Sequence, residues 1–249
     1  MIELFKNVLR LLWRLWFYIL FAGMVFLFAP VLLLVTSREE WYPVFFKLAR
    51  FWAKTTLFFT GFRVRKCELE KTEKNGSYVF IANHTAIVDV LLMLAIVKNP
   101  FVFVGKKELS NIPVFGFFYR KTCILVDRNN LKSKQKVFKE AQRKIDLGLS
   151  ICIFPEGLVP DDESLVLSEF KKGAFKLAIE HGLPIVPMSF YDCKKRFSYT
   201  FFSGAPGVLR VKTHPFIRTS KMSLADVSSL KQTCFDLIEK DLIRGAEAS

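Results

Sequence analysis

The chain has 249 residues, 51% of them hydrophobic and 15% aromatic, including 27 phenylalanines; that length holds one α/β domain with an accessory segment, or two small domains, around a sizeable core. Lys and Arg number 37 against 23 Asp and Glu, a net charge of +14, which draws a protein to anionic lipid surfaces or anionic polymers. An apolar N-terminus beside the basic residues, and no recognised groove-reading motif, argue for membrane lipid and against nucleic acid.

Leu15 to Val35 is a run of 21 residues without a charge, enough at ~1.5 Å per residue to cross a hydrocarbon core of roughly 30 Å. Lys6, Arg10 and Arg14 precede it. A signal peptide has the same charge order, but this run is longer than a typical h-region and no small-x-small cleavage site follows, so a retained helix is expected. Pro30 should kink it. Trp41 to Phe62 reads as a second, amphipathic helix, with Lys47, Arg50 and Lys54 spaced three and four apart on one face. An apolar helix with such a cationic stripe lies in the membrane interface and meets acidic headgroups; the alternative is a helix packed on the domain with solvated cations. Residues 1–62 are therefore expected to form a two-helix membrane-seating segment, and residues 63–249 an α/β domain.

Beyond Gly61 the pattern alternates. Tyr78–Ala82, Phe101–Val104, Ile124–Val126, Ser150–Phe154 and Ile185–Phe190 predict strands. Val88–Val97, Leu131–Leu147 and Lys171–His181 predict helices, with Gly148 and Gly182 where C-caps belong. Val208–Lys212 adds a late strand and Ser223–Arg244 a closing helix with Ser223 as N-cap. This order predicts a mixed sheet flanked by helices, with parallel pairings. Cys67, Cys123, Cys152, Cys193 and Cys234 are widely spaced with no C-x-x-C pair. That argues against a disulfide framework or a zinc site and fits a reducing compartment.

Among the three histidines, His181 sits at a predicted helix end and His214 before Pro215, both positions with ordinary structural uses. His84 differs: it follows a strand and opens Asn83-His84-Thr85-Ala86-Ile87-Val88-Asp89. The carboxyl ends of strands are where α/β sheets place their sites. Asp89 falls in the first turn of the next helix, where a carboxylate suits an imidazole acting as general base. Taken alone, His-x4-Asp is too short to be specific. Three further blocks accompany it: Gly105-Lys106-Lys107-Glu108-Leu109-Ser110-Asn111-Ile112-Pro113 with Val126-Asp127-Arg128, then Phe154-Pro155-Glu156-Gly157, then Phe170-Lys171-Lys172-Gly173 leading to Val186-Pro187. Cations at such strand ends suit a phosphate, or else form a solvated basic face.

These four blocks, in this order, resemble the PlsC-type glycerolipid acyltransferases, and among them the 1-acylglycerol-3-phosphate acyltransferases, from about Tyr78 to Pro187. The resemblance implies a catalytic His84–Asp89 pair. It implies substrate binding by Lys106, Arg128, Phe154, Pro155, Glu156, Gly157, Val186 and Pro187. It further implies a lysophospholipid acceptor and an acyl-CoA or acyl carrier protein donor; because acyl thioesters are cytoplasmic, the membrane-seated site is expected on the cytoplasmic face, and the sequence itself gives no sign of a metal or cofactor. Two departures stand out. Thr85-Ala86 replaces the family's Gln-Ser after the histidine, and Leu158-Val159 replaces Thr-Arg after Phe-Pro-Glu-Gly, which opens the acceptor's identity to a larger headgroup. A non-catalytic protein that adheres to anionic membranes is the competing reading, and it predicts no thioester consumption.

Overall fold

A computed structural model describes residues 1–127, 131–159, 165–200 and 202–247. The N-terminal apolar run is not one helix. Helix α1 (Ile2–Leu27) starts early enough to include Lys6, Arg10 and Arg14, stops at Phe28, and α2 (Ala29–Val35) follows. Pro30 falls in the first turn of α2, where the missing N–H lacks an intrahelical partner anyway. The proline expected to kink a helix thus starts a new one. By length and composition α1 qualifies to cross a membrane, with only 11% of its most apolar window buried.

Two compact units make up the chain: Met1–Lys66, Thr85–Lys98 and Tyr191–Val211 in the first, and Cys67–His84, Asn99–Phe190 and Lys212–Ser249 in the second. In the first unit, α3 (Tyr42–Phe59) packs on α4 (Val88–Ile96). The expected cationic stripe on α3 divides. Lys47 and Lys54 are exposed, as an interfacial helix needs. Arg50 turns inward and donates to the carbonyl oxygens of Leu94 (3.1 Å) and Ala95 (3.3 Å). Lys66 donates to the Ile96 carbonyl at 3.3 Å. The cause lies in α4, whose last turn holds no basic residue of its own and whose final carbonyls must find donors elsewhere. Phe51, Phe58 and Val44 remain exposed on α3, an apolar strip at seven-residue intervals along one face.

The sheet has seven strands in the order β1-β7-β6-β2-β5-β3-β4. Five belong to the second unit: β2 (Val79–Ala82), β3 (Phe101–Lys106), β4 (Ile124–Val126), β5 (Ser150–Ile153) and β6 (Ile185–Phe190). They match the expected strands to within two residues at each end. All four of their pairings, β2 with β5 and β6, and β3 with β4 and β5, are parallel. The residues of β2 and β6 are buried throughout, so these strands read as continuous apolar runs without alternation. Strand β7 (Gly207–Thr213) makes the sheet mixed. Tyr191 N–H donates to Arg210 O and His214 N–H to Pro187 O, an order that runs antiparallel to β6. Strand β1 (Phe62–Glu68), at the sheet edge, was not expected from the sequence. The helices α6 (Leu131–Asp146), α7 (Gly173–Glu180) and α9 (Val227–Glu247) follow the predicted positions. A 3₁₀ turn, Leu224–Asp226, precedes α9, and Ser223 closes a capping box with Asp226. Two short helices are additional: α5 (Phe115–Thr122) and α8 (Cys193–Phe197).

Candidate active site

Parallel pairing aligns the carboxyl ends of β2, β3 and β5 along one edge of the second unit, from which Asn83–His84, Lys106–Lys107 and Phe154–Gly157 emerge. His84 is held by its backbone and its ring. One residue before it, Asn83 is buried and clamps the end of β6: its Nδ2 donates to Phe190 O (2.9 Å), and its Oδ1 accepts Phe190 N–H (2.8 Å). The His84 N–H donates to Glu156 Oε1 at 2.6 Å. The imidazole stacks on Phe154, with centroids 4.3 Å apart and planes 16° apart, and Phe103 stacks beyond Phe154 at 6.2 Å. A ring fixed on one face keeps its edge, where both nitrogens lie, directed in a set plane.

Glu156 does more than the resemblance implies for it. Its second oxygen accepts the Ser168 N–H at 2.9 Å, so one buried carboxylate ties the His84 turn to the segment before Phe170. Pro155 O accepts the Lys171 N–H at 2.8 Å. Gly157 has φ +82°, and a Cβ there would meet the Lys171 stem and ammonium at 3.1 Å. Left-handed backbone and close approach both require glycine at this position. Lys171 therefore lies across the residue that precedes Leu158-Val159. Lys106 is exposed at the end of β3, beside Lys107, which pairs with Asp127 at 3.9 Å. Arg128 lies outside the described residues. Val186 and Pro187 are buried in β6, in register with Phe80 and Ile81 of β2; they support the strand that carries His84 from inside the sheet.

In the first unit, Asp89 is fully buried in the first turn of α4. Its Oδ2 accepts the N–H groups of Thr85 (2.5 Å) and Ala86 (2.8 Å), and a helix N-terminus favours such a negative charge. Both of these donors belong to the backbone, so these two bonds to Asp89 use no side-chain atom of Thr85 or Ala86. His181 lies at the end of α7, as expected, but is itself the C-cap, one residue before the expected Gly182. His214 is buried, and its Nε2 meets both Ser189 Oγ (2.8 Å) and Asp241 Oδ2 (3.4 Å). A single nitrogen facing both groups does not make a nucleophilic relay. Burial pushes the thiols of Cys123 and Cys234 up to about 12 and those of Cys152 and Cys193 well above the usual range. None of these four offers a thiolate at neutral pH. Among the described residues no group of three or more His, Cys, Asp or Glu is placed to hold a metal.

Residues 63–191 match the family model described as Acyltransferase, more than half of the chain. The chain belongs to the PlsC-type acyltransferase family. Similar members include 1-acyl-sn-glycerol-3-phosphate acyltransferase beta of Homo sapiens, 30% identical over 185 residues, with 71% of this chain and 64% of that protein aligned. The 1-acyl-sn-glycerol-3-phosphate acyltransferase of Escherichia coli (strain K12) is 31% identical over 184 residues, 73% of this chain and 74% of that one. The chain thus aligns with just under two thirds of the human relative's length. In fold, this acyltransferase matches the crystal structure of the 1-acyl-sn-glycerophosphate acyltransferase PlsC from Thermotoga maritima, with TM-score 0.79, 21% identity, and coverage of 96% of this chain and 97% of that one. Asn83, His84, Asp89, Phe154 and Glu156 stand in blocks that the sequence already singled out; Phe103, stacked behind Phe154, and Phe190, which Asn83 clamps, lie in strands given no such role.

Proposed function

We propose that this acyltransferase moves a fatty acyl group from an acyl thioester, acyl-CoA or acyl carrier protein, to the free hydroxyl of 1-acylglycerol-3-phosphate, forming phosphatidate. The relatives' names support the reaction, and the fixing of His84 by Glu156 and Phe154 carries the assignment of the base. In this reading His84 takes the hydroxyl proton as the oxygen bonds to the thioester carbonyl carbon. Asp89 stabilises the imidazolium. Backbone N–H groups steady the tetrahedral oxyanion, the C–S bond then breaks, and the thiolate regains the proton. The thioester is already activated, so no acyl-enzyme is required. Lys106 and Arg128 hold the acceptor phosphate. The apolar α1 and the exposed strip of α3 seat the protein in a membrane whose cytoplasmic side, where acyl thioesters are made, faces the site.

The test uses detergent-purified protein with acyl-CoA or acylated carrier protein and lysophosphatidate, following thiol release and lipid product beside His84→Ala. Acceptor-dependent release with phosphatidate formed, abolished in folded His84→Ala, is expected. Retained activity in that variant removes His84 from the mechanism, and release without acceptor identifies a thioesterase. Leu158-Val159, where the family resemblance implies Thr-Arg, favours one second reading: the same chemistry on a lysophospholipid with a larger headgroup. Competition among lysolipids separates the two, since preference for lysophosphatidate disposes of the second.

A further inference from the structure

In the second unit, the 3₁₀ turn Lys107–Asn111 and helix α5 form a short hairpin directly after Lys106. Two contacts stitch it shut. Arg120 Nη1 donates to the Ser110 carbonyl, and Gly116 lies so near that carbonyl that a Cβ there would overlap it. The stitched backbone leaves Leu109, Ile112, Val114 and Phe117 exposed. Val114 holds φ +62°, a region that β-branched residues rarely adopt. Exposed cations border these side chains: Lys106, Lys107, Arg120 and Lys121, the last with its ammonium 4.7 Å from the centre of the Phe117 ring. From Lys106 to Lys121 the sequence holds four cations and one acid, Glu108; Asp127 lies 3.9 Å from Lys107.

We infer that this hairpin is a further membrane contact, built into the acyltransferase domain: its apolar tip enters the acyl-chain boundary of an anionic bilayer while its cations meet the headgroup phosphates. Apolar side chains interleaved with Lys and Arg suit that boundary, and the excess of positive charge suits anionic lipid. The residues also follow the depth order of the acceptor. A lysophospholipid in a bilayer keeps its phosphate at headgroup level and its acyl chain below. Lys106, which holds the acceptor phosphate, is followed at once by the apolar tip. This match, which rests on the proposed role of Lys106, favours a bilayer over an acidic carrier protein. The contact holds the acceptor-binding end of β3 at the surface from which the acceptor comes.

Full-length protein carrying Cys67→Ser, which removes an exposed thiol, is labelled at Ile112→Cys with an environment-sensitive dye. It is reconstituted with phosphatidylcholine vesicles that contain or lack phosphatidylglycerol. Brominated acyl chains are expected to quench the dye, and more strongly with phosphatidylglycerol present. No quenching, or quenching indifferent to phosphatidylglycerol, overturns the contact. The double variant Ile112→Ser with Phe117→Ser is expected to raise KM for lysophosphatidate in anionic vesicles by roughly tenfold. Its kcat, and its turnover of a short-chain, water-soluble lysophosphatidate, stay within about twofold of wild type. An equal loss on the soluble acceptor overturns the contact. So does a loss seen with acylated carrier protein and not with acyl-CoA, which assigns the hairpin to the carrier. The dye reports without turnover: quenching in a protein that makes no phosphatidate overturns the proposed reaction and leaves the contact standing, whereas phosphatidate made without quenching overturns only the contact.

Discussion

Both oxygens of Glu156 accept backbone N–H groups, and the side chain is 3% exposed. Glu156→Gln would turn an amide NH2 toward one of these donors, leaving a buried group unmatched at about 1–3 kcal/mol and shifting His84. Steady-state kinetics should show kcat reduced up to roughly 100-fold with circular dichroism unchanged. His214 gives a pH prediction. Burial lowers its affinity for protons below the usual value, Lys212 adds to this, and Asp241 opposes it. Just below pH ~6.5 the unfolded chain therefore binds more protons than the native state, and stability falls as pH drops through that window. Denaturation midpoints measured from pH 7.5 down to 5 should fall less steeply in His214→Gln; an unchanged slope clears His214 of any part in it. At this scale the sequence singled out His84 and Asp89 as candidates through four short blocks in order, the His-x4-Asp spacing being too short to do so alone. It did not show what fixes them, because Asn83 meets Phe190, 107 residues away, and Glu156 reaches His84 across 72. Such partners follow from strand order, which no local pattern encodes.

The elements of α3 and α4 separate two roles that looked alike in the sequence. Arg50 caps α4, whereas Lys47 and Lys54 face outward. Arg50→Ala should lower unfolding stability by about 1–3 kcal/mol and leave vesicle binding intact. Lys47→Ala with Lys54→Ala should do the reverse, weakening flotation with anionic vesicles by about 1 kcal/mol for each lysine. Should Arg50→Ala instead cost only vesicle binding, the cap is not what it supplies. Periodicity put all three cations on one face; it could not register that α4 lacks a basic residue in its last turn. The parallel strands were legible because each is a short apolar run. Strand β1 was not, since Phe62-Arg63-Val64-Arg65-Lys66-Cys67-Glu68 is mostly exposed and carries the charges that protect a sheet edge from pairing with other chains. In α8, Cys-Lys-Lys-Arg-Phe is too short to show a helical period.

Across the whole molecule, the feature that composition described only in part is α1. The charge-free run was read as a membrane segment, and much of the helix is indeed exposed and apolar, with Ile2, Phe5, Leu12 and Ile19 among its outward residues. Another face is interior. Phe17 has no exposed surface and lies 4.2 Å from the Phe197 ring, Arg14 is 7% exposed, and the Trp13 indole donates to Thr60 O at 2.9 Å. Deleting Met1–Val35 should therefore abolish activity even when both substrates are presented in detergent micelles, with near-ultraviolet circular dichroism reporting loss of aromatic packing. Activity that survives the deletion would reduce α1 to a tether. A consequence follows for anyone who would re-engineer the protein. Grafting an unrelated apolar helix in place of α1 would keep its length and hydropathy yet discard Arg14, Trp13 and Phe17, so α1 cannot be exchanged as a cassette. Any workable chimera must transplant those three side chains, at their spacing, into the new helix.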